Sequence, residues 1–276
     1  MGLVYVSFET CPGSASRPNE DFVAASPNVA VVLDGLTAPP ELGTGCAHGT
    51  PWFVARLGTE LVSAATTARD EPLEEIVAGA IKRVADAHAR TCDLEHPGTP
   101  SSSVAILREH GQRVDYLVLF DSVIVLDGPF GLKVITDHRV DAVAQAEHLA
   151  TREHPIGSAA HQDRVRRLVA AQRRHRNRRD GYWVAAAKPT AANNAVAGSL
   201  PRDWVRRAAV LSDGVSCLVE QYGIADWAQL MTMLQQYGPQ HVISRVREAE
   251  AGDPAGARWP RYKRSDDATA VLCLLS

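Results

Sequence analysis

Residues 29–37 read VAVVLDGLT. Five apolar residues, Val29 to Leu33, run without interruption into a carboxylate and then a glycine. A short continuous apolar run closed by a turn signal has the pattern of a buried strand. Taken singly, Asp34-Gly35 is a turn pair, because glycine reaches backbone angles that other residues avoid. The ending recurs, however. Residues 207–215, RAAVLSDGV, take another apolar run into Asp213-Gly214, and YLVLFDS takes one into Asp121. The closing DDATAVLCLL begins at Asp266-Asp267, and NED at 19–21 precedes the first run. VIVLDG, which ends at Asp127-Gly128, reads as an ordinary hairpin turn.

Around these runs the elements fall into blocks. Leu3 to Phe8 and Val29 to Leu33 read as adjacent strands. Apolar residues at three- and four-residue steps predict a helix from Trp52 to Arg69 and a second one opened by Pro72. Strands follow at Ser103–Leu107, Asp115–Phe120, Ser122–Leu126 and Leu132–Thr136, then a polar helical region from about Asp141 to Arg179, broken near HPIGS. Strands at Tyr182–Ala186 and Arg207–Leu211, helices near Asp226–Tyr237 and Pro239–Ala249, and a strand at Ala268–Leu275 complete the chain. Blocks of strands and blocks of helices predict an α+β domain with largely antiparallel sheets. The compositional shift at 141–180 reads as an insertion on one domain spanning 1–276.

At 276 residues and 45% hydrophobic content the chain can bury a sizeable core, and its net charge of −3 offers no global attraction for nucleic acid or anionic membrane. The five cysteines are scattered, odd in number and without C-x-x-C spacing, which fits reduced thiols better than a disulfide frame or a zinc site. No stretch approaches the ~18 apolar residues of a membrane span, and the N-terminus lacks a secretory pattern. The expectation is a soluble, cytoplasmic monomer.

If the acidic strand ends meet in space, like charges repel, so the group must hold protons or bind cations. Oxygen-only donors suit Mg²⁺ or Mn²⁺ and not zinc. Two such ions ~3.5–4 Å apart bridge a water and lower its pKa for in-line attack on phosphorus.

The order and spacing of NED, Asp34-Gly35, GTPSSSVAIL at 98–107, FDS at 120–122, SDG at 212–214 and DDATAVL resemble the metal-dependent, type 2C serine/threonine protein phosphatases. The resemblance implies a four-layer α-β-β-α sandwich, two central antiparallel sheets flanked by helix pairs, with a variable flap at about 138–200. It implies a binuclear Mg²⁺ or Mn²⁺ centre in which Asp34 bridges both ions, the Gly35 carbonyl contributes directly or through water, Glu20 serves one ion, and Asp213 and Asp266 serve the other. Asp121 matches the position of a third, weaker ion, and Asp21 a group that hydrogen-bonds metal-bound water. Asp34 and Asp213 are the residues on which catalysis is expected to depend. Arg17 lies near where many members place a phosphate-binding arginine, at a different spacing. Leu36 stands where relatives carry a histidine, Phe120 replaces the glycine of Gly-Asp-Ser, and Asp267 replaces an asparagine.

The implied function is hydrolysis of phosphoserine and phosphothreonine in a phosphorylated protein substrate by metal-activated water, as part of signalling. The alternative is a catalytically impaired module of the same fold that binds a phosphorylated or regulatory partner. RVRRLVAAQRRHRNRR, Arg164 to Arg179, is either a solvated helix or a basic face turned to an acidic partner, a phosphorylated substrate or nucleic acid. His48, in the loop after Asp34, is the histidine to test as a proton donor.

Overall fold

The computed structural model describes residues 5–275. Among them ten strands form two five-stranded antiparallel sheets. The strands are β1 (Tyr5–Cys11), β2 (Asp21–Ser26), β3 (Val29–Asp34), β4 (Val104–His110), β5 (Arg113–Leu119), β6 (Val123–Gly128), β7 (Gly131–Ile135), β8 (Val196–Pro201), β9 (Arg207–Leu211) and β10 (Ala268–Leu274). One sheet runs β1-β10-β9-β6-β7, the other β2-β3-β4-β5-β8.

The apolar run at 29–33 is buried on both sides, and its alternation explains why. Val29, Val31 and Leu33 face a helix pair, whereas Ala30 and Val32 face the opposite sheet. The pair is α1 (Gly49–Thr67) and α2 (Leu73–His88), whose residues Phe53, Leu57, Leu61, Ile76, Ala80 and Ile81 recur at helical spacing on the buried side. On the far side, α5 (Asp213–Glu220), α6 (Trp227–Tyr237) and α7 (Pro239–Gly252) cover the other sheet through Leu218, Leu230, Leu234, Val242 and Val246. Between the sheets lie Leu107, Val118, Ile124, Val210 and Val271. This is the four-layer arrangement. Two helices, α3 (Gln145–Thr151) and α4 (Ala159–Arg173), stand in the 138–200 region.

Local signals set several ends. Asp226 and Gln229 form a reciprocal capping box at the start of α6. Gly238, at φ 83°, closes α6, and Pro239 opens α7. Asp127-Gly128 does end at a hairpin, with Pro129 and Phe130 forming the two-residue loop, and Asp127 is held by Arg207 at 2.6 Å.

Two expectations need correcting, and three elements were not expected. β1 and β3 are not neighbours: β1 pairs with β10, and β3 lies between β2 and β4. The intervening β2, DFVAAS, carries small side chains and lacked a strong apolar run. Leu3 and Val4 of the first expected strand lie outside the described residues. Tyr182 to Ala186 is not a ladder strand. It is extended chain with two isolated bridges, Arg176 to Tyr182 and Ser102 to Ala185. The strand in that region is β8, an edge strand whose Gly198 and Pro201 weaken its signal, and where a Cβ at Gly198 would meet the Tyr116 hydroxyl at 2.4 Å. The eight-residue α5 directly after β9 was not expected either.

Candidate active site

The strand ends that carry the acidic residues converge at one end of the sandwich. Asp21 and Asp34 are direct cross-strand partners in the β2–β3 ladder. Asp121 follows β5, Asp213 follows β9, and Asp266 precedes β10. Asp34, Gly35, Asp121, Asp213 and Asp266 line a cleft of about 1070 Å³, with Arg17 exposed on it. Glu20 adjoins through its own carbonyl, which accepts from Gly35 N at 3.0 Å. All seven predicted metal-site and supporting positions therefore meet, and Arg17 reaches the same cleft.

Glycine is required after both aspartates for packing. A Cβ on Gly35 would lie 2.6 Å from the Glu20 carbonyl oxygen, and one on Gly214 would lie 1.9 Å from that of Asp267. The missing side chains let the acidic loops close on one another. Asp213 opens α5, where the exposed amides of the first turn favour a carboxylate. Beneath the floor, Ser103 Oγ accepts from Asp34 N at 3.2 Å and bonds to Ser122 Oγ at 2.5 Å, linking the two sheets.

The second acid of the closing pair faces elsewhere. Asp267 accepts from the backbone amides of Gly13 and Glu20, each at 2.7 Å, and so holds the N-terminal loop against the site. Asp21 accepts from Thr269 Oγ1 at 2.6 Å, leaving its other oxygen buried without a partner. Glu20 accepts from the Thr37 hydroxyl.

The half-buried carboxylates crowd one another. Burial, then the charges of Asp213, Asp21 and Asp266, push Asp34 well above the usual carboxylate range, and Asp121 rises for like reasons. Burial and Asp266 raise Asp213 to about 6, and burial raises Asp21 to about 8. One residue that the sequence reading missed offsets part of this charge. Lys263 Nζ donates to Asp266 Oδ1 at 2.6 Å and to Thr37 Oγ1 at 3.0 Å. Burial alone would lower its pKa, but Asp266, Asp34 and Asp213 outweigh that and raise it. Its only sequence signal was its place three residues before Asp266.

A single ammonium leaves this cluster with excess negative charge and an unpartnered Asp213 Oδ1. All the donors are oxygens. The residues present thus fit hard divalent cations, with Glu20, Asp34, Asp121, Asp213 and Asp266 as candidate ligands.

Two departures have structural counterparts. Leu36 packs beside Phe120, Val143 and Tyr182 on the cleft wall, so an apolar group occupies the position of the missing histidine. Phe120 keeps the left-handed backbone that suits the glycine it replaces, at φ 79°, with its ring 5.1 Å from that of Tyr182. His48 does not line the cleft. It stacks on Trp52 at 4.4 Å and turns Nδ1 to the Cys92 sulfur, which removes it as a proton donor to this site.

The Arg164–Arg179 segment divides. Arg166 and Arg167 pair with Asp163, Arg173 Nη1 donates to the carbonyls of Leu42 and Gly43, and Arg176 donates to that of Thr99. Arg174, Arg178 and Arg179 are exposed.

No protein-family model and no curated protein sequence matches this chain. Solved structures do. The Mycobacterium tuberculosis serine/threonine phosphatase PstP/Ppp superposes with a TM-score of 0.58 at 14% identity, covering 99% of this chain and 98% of its own. The PPM Ser-Thr phosphatase MsPP from Mycobacterium smegmatis, in complex with cacodylate, gives 0.57 at 18% identity over 100% of both chains. The catalytic domain of PstP, in complex with two manganese ions, gives 0.57 at 16% identity over 98% of this chain and 97% of its own. The two sheets, their flanking helices and these whole-chain superpositions show that this protein has the fold of the type 2C serine/threonine protein phosphatases.

Proposed function

We propose that the protein is a Mg²⁺- or Mn²⁺-dependent phosphatase that hydrolyses phosphoserine and phosphothreonine in protein substrates. The observation that carries this reading is the convergence of Asp34, Asp121, Asp213 and Asp266, from strand ends of both sheets, on one cleft, with Glu20 packed against Gly35 beside it. When bound there, a pair of hard cations supplies an ionised water and neutralises charge on the phosphoryl group.

The chain's own residues supply the rest. Asp34, Glu20, the Gly35 carbonyl, Asp213 and Asp266 would hold the pair, and Asp121 would hold a weaker third ion. Asp21, fixed by Thr269, would hydrogen-bond water held by the ions. Arg17 and Lys263 offer N–H donors to phosphoryl oxygens from the cleft wall. With Leu36 in the histidine's place, the leaving alkoxide takes its proton from water held by this cluster.

Hydrolysis of para-nitrophenyl phosphate and of a phosphothreonine peptide, with and without Mn²⁺, tests the assignment. Asp34→Asn and Asp213→Asn should each lower kcat at least ~100-fold, as loss of charge stabilisation in the transition state does. Turnover that survives chelation, or that is unchanged in both variants, would overturn it.

A further inference from the structure

A second set of metal-type donors lies outside the cleft. Cys46 and His48 sit in the loop before α1, and Cys92 lies just past the end of α2. Their donor atoms form a compact triangle: the two sulfurs are 3.3 Å apart, and His48 Nδ1 lies 3.3 Å from the Cys92 sulfur and 3.8 Å from that of Cys46. A tetrahedral ion with bonds of ~2.3 Å to sulfur and ~2.0 Å to nitrogen sets its sulfurs ~3.8 Å apart and sulfur and nitrogen ~3.5 Å apart. The triangle matches that frame to within half an ångström.

A fourth donor stands beside it. His88, on the last turn of α2, is 2% exposed, and neither of its ring nitrogens has a hydrogen-bond partner. Its ring centroid lies 6.0 Å from that of His48 and 5.0 Å from that of Trp52. An imidazole buried with both nitrogens unsatisfied carries a desolvation cost, and an ion bound at one nitrogen relieves part of it. None of these four residues lines the cleft.

We propose that Cys46, His48 and Cys92, completed by His88, form a structural zinc site that ties the cleft-lining loop to the end of α2. The pattern is Cys-x-His in the loop and His-x-x-x-Cys at the helix end. Binding ionises the two thiols, releasing two protons to solvent, so two thiolates, two neutral imidazoles and Zn²⁺ sum to zero charge. Sulfur and imidazole select zinc, whereas the all-oxygen cleft selects Mg²⁺ or Mn²⁺, so the two centres sort their ions by donor type. Asp93 N donates to Gly45 O at 2.8 Å close to the site. The proposal departs from the expectation of reduced thiols without a zinc site, and the cysteines themselves are free thiols, as expected. Forty-six positions separate Cys46 from Cys92, and only the antiparallel return of α1 and α2 brings them together.

Anaerobic titration of the reduced, metal-free chain with Co²⁺ in excess Mg²⁺ tests the site. One equivalent should produce a thiolate-to-cobalt charge-transfer band with the strong visible bands of a tetrahedral centre, and Zn²⁺ should bleach both. Cys46→Ser or Cys92→Ser should abolish the band, Asp34→Asn should leave it, and His88→Gln should weaken Co²⁺ affinity tenfold or more. A second readout needs no variant: Zn²⁺ should slow alkylation of Cys46 and Cys92, read by mass spectrometry, while Cys11 keeps its rate. A natively folded chain with no charge-transfer band, a band that survives both serine variants, or alkylation indifferent to Zn²⁺ would overturn the proposal. Unchanged affinity in His88→Gln would overturn the four-donor set.

Discussion

Phe120 shows how a single residue can keep the backbone of a lost glycine. Its φ of 79° is a conformation that costs a side chain of order 1–3 kcal/mol, and the ring is nonetheless buried among Val143, Tyr182 and Val184. Packing outweighs strain, since truncating a buried phenylalanine costs ~3–5 kcal/mol. The two effects can be separated. Phe120→Ala should lose the packing and keep the strain, whereas Phe120→Gly should lose both, so the glycine variant should be the more stable of the two by ~1 kcal/mol. Urea unfolding of the pair checks this, and alanine proving the more stable would show that position 120 carries no strain. In most of a folded chain the order runs the other way.

At the scale of elements, α4 bears on the cleft through Arg173 more than through its exposed charges. The guanidinium reaches the carbonyls of Leu42 and Gly43, and a Cβ at Gly98 would collide with it at 2.5 Å. Arg173→Gln should therefore cost ~1–3 kcal/mol and raise hydrogen exchange in residues 38–45, with α7 unaffected. Protection unchanged in that loop would refute the link. Any guidance of acidic substrates falls to Arg174, Arg178 and Arg179, because Arg173 and Arg176 are engaged with backbone. Legibility also differed by element. β3, β9 and β10 could be read directly because strands buried on both faces have continuous apolar runs, which acid follows in β3 and β9 and precedes in β10. β2 and β8 could not, being an edge pair built from small residues, glycine and proline. The acidic site was legible because each member marks a strand end. Lys263 and the Cys46–His48–His88–Cys92 group were not, because their partners are set by tertiary return of the chain and by no local period.

For the whole molecule, the acidic end places pH dependence on stability. In metal-free protein the folded state retains protons on Asp213 up to about pH 6 and on Asp21 up to about pH 8, whereas the unfolded chain releases them near pH 3.8. The folded form thus binds more protons across that window, and stability falls as pH rises from about 4 to about 8. Thermal unfolding in chelator should show a falling midpoint from pH 5 to pH 8, and Asp21→Asn should flatten the slope. Saturating Mn²⁺ should reverse it, since the ions displace those protons. A midpoint that climbs with pH in chelator would contradict the crowding described for the carboxylates.

The position of β10 has a temporal meaning. It is the last strand in the chain, yet it lies inside its sheet, between β1 and β9, and the residue just before its lead-in supplies Asp266 to the cleft. A growing chain on the ribosome can therefore complete the β2-β3-β4-β5-β8 sheet while the other stays open by one strand. Until residues 266–274 emerge, Asp21 lacks Thr269 and the amides of Gly13 and Glu20 lack Asp267. Synthesis thus reaches the acidic end of the sandwich at β10, and a chain that stops short of it presents no assembled acidic cluster.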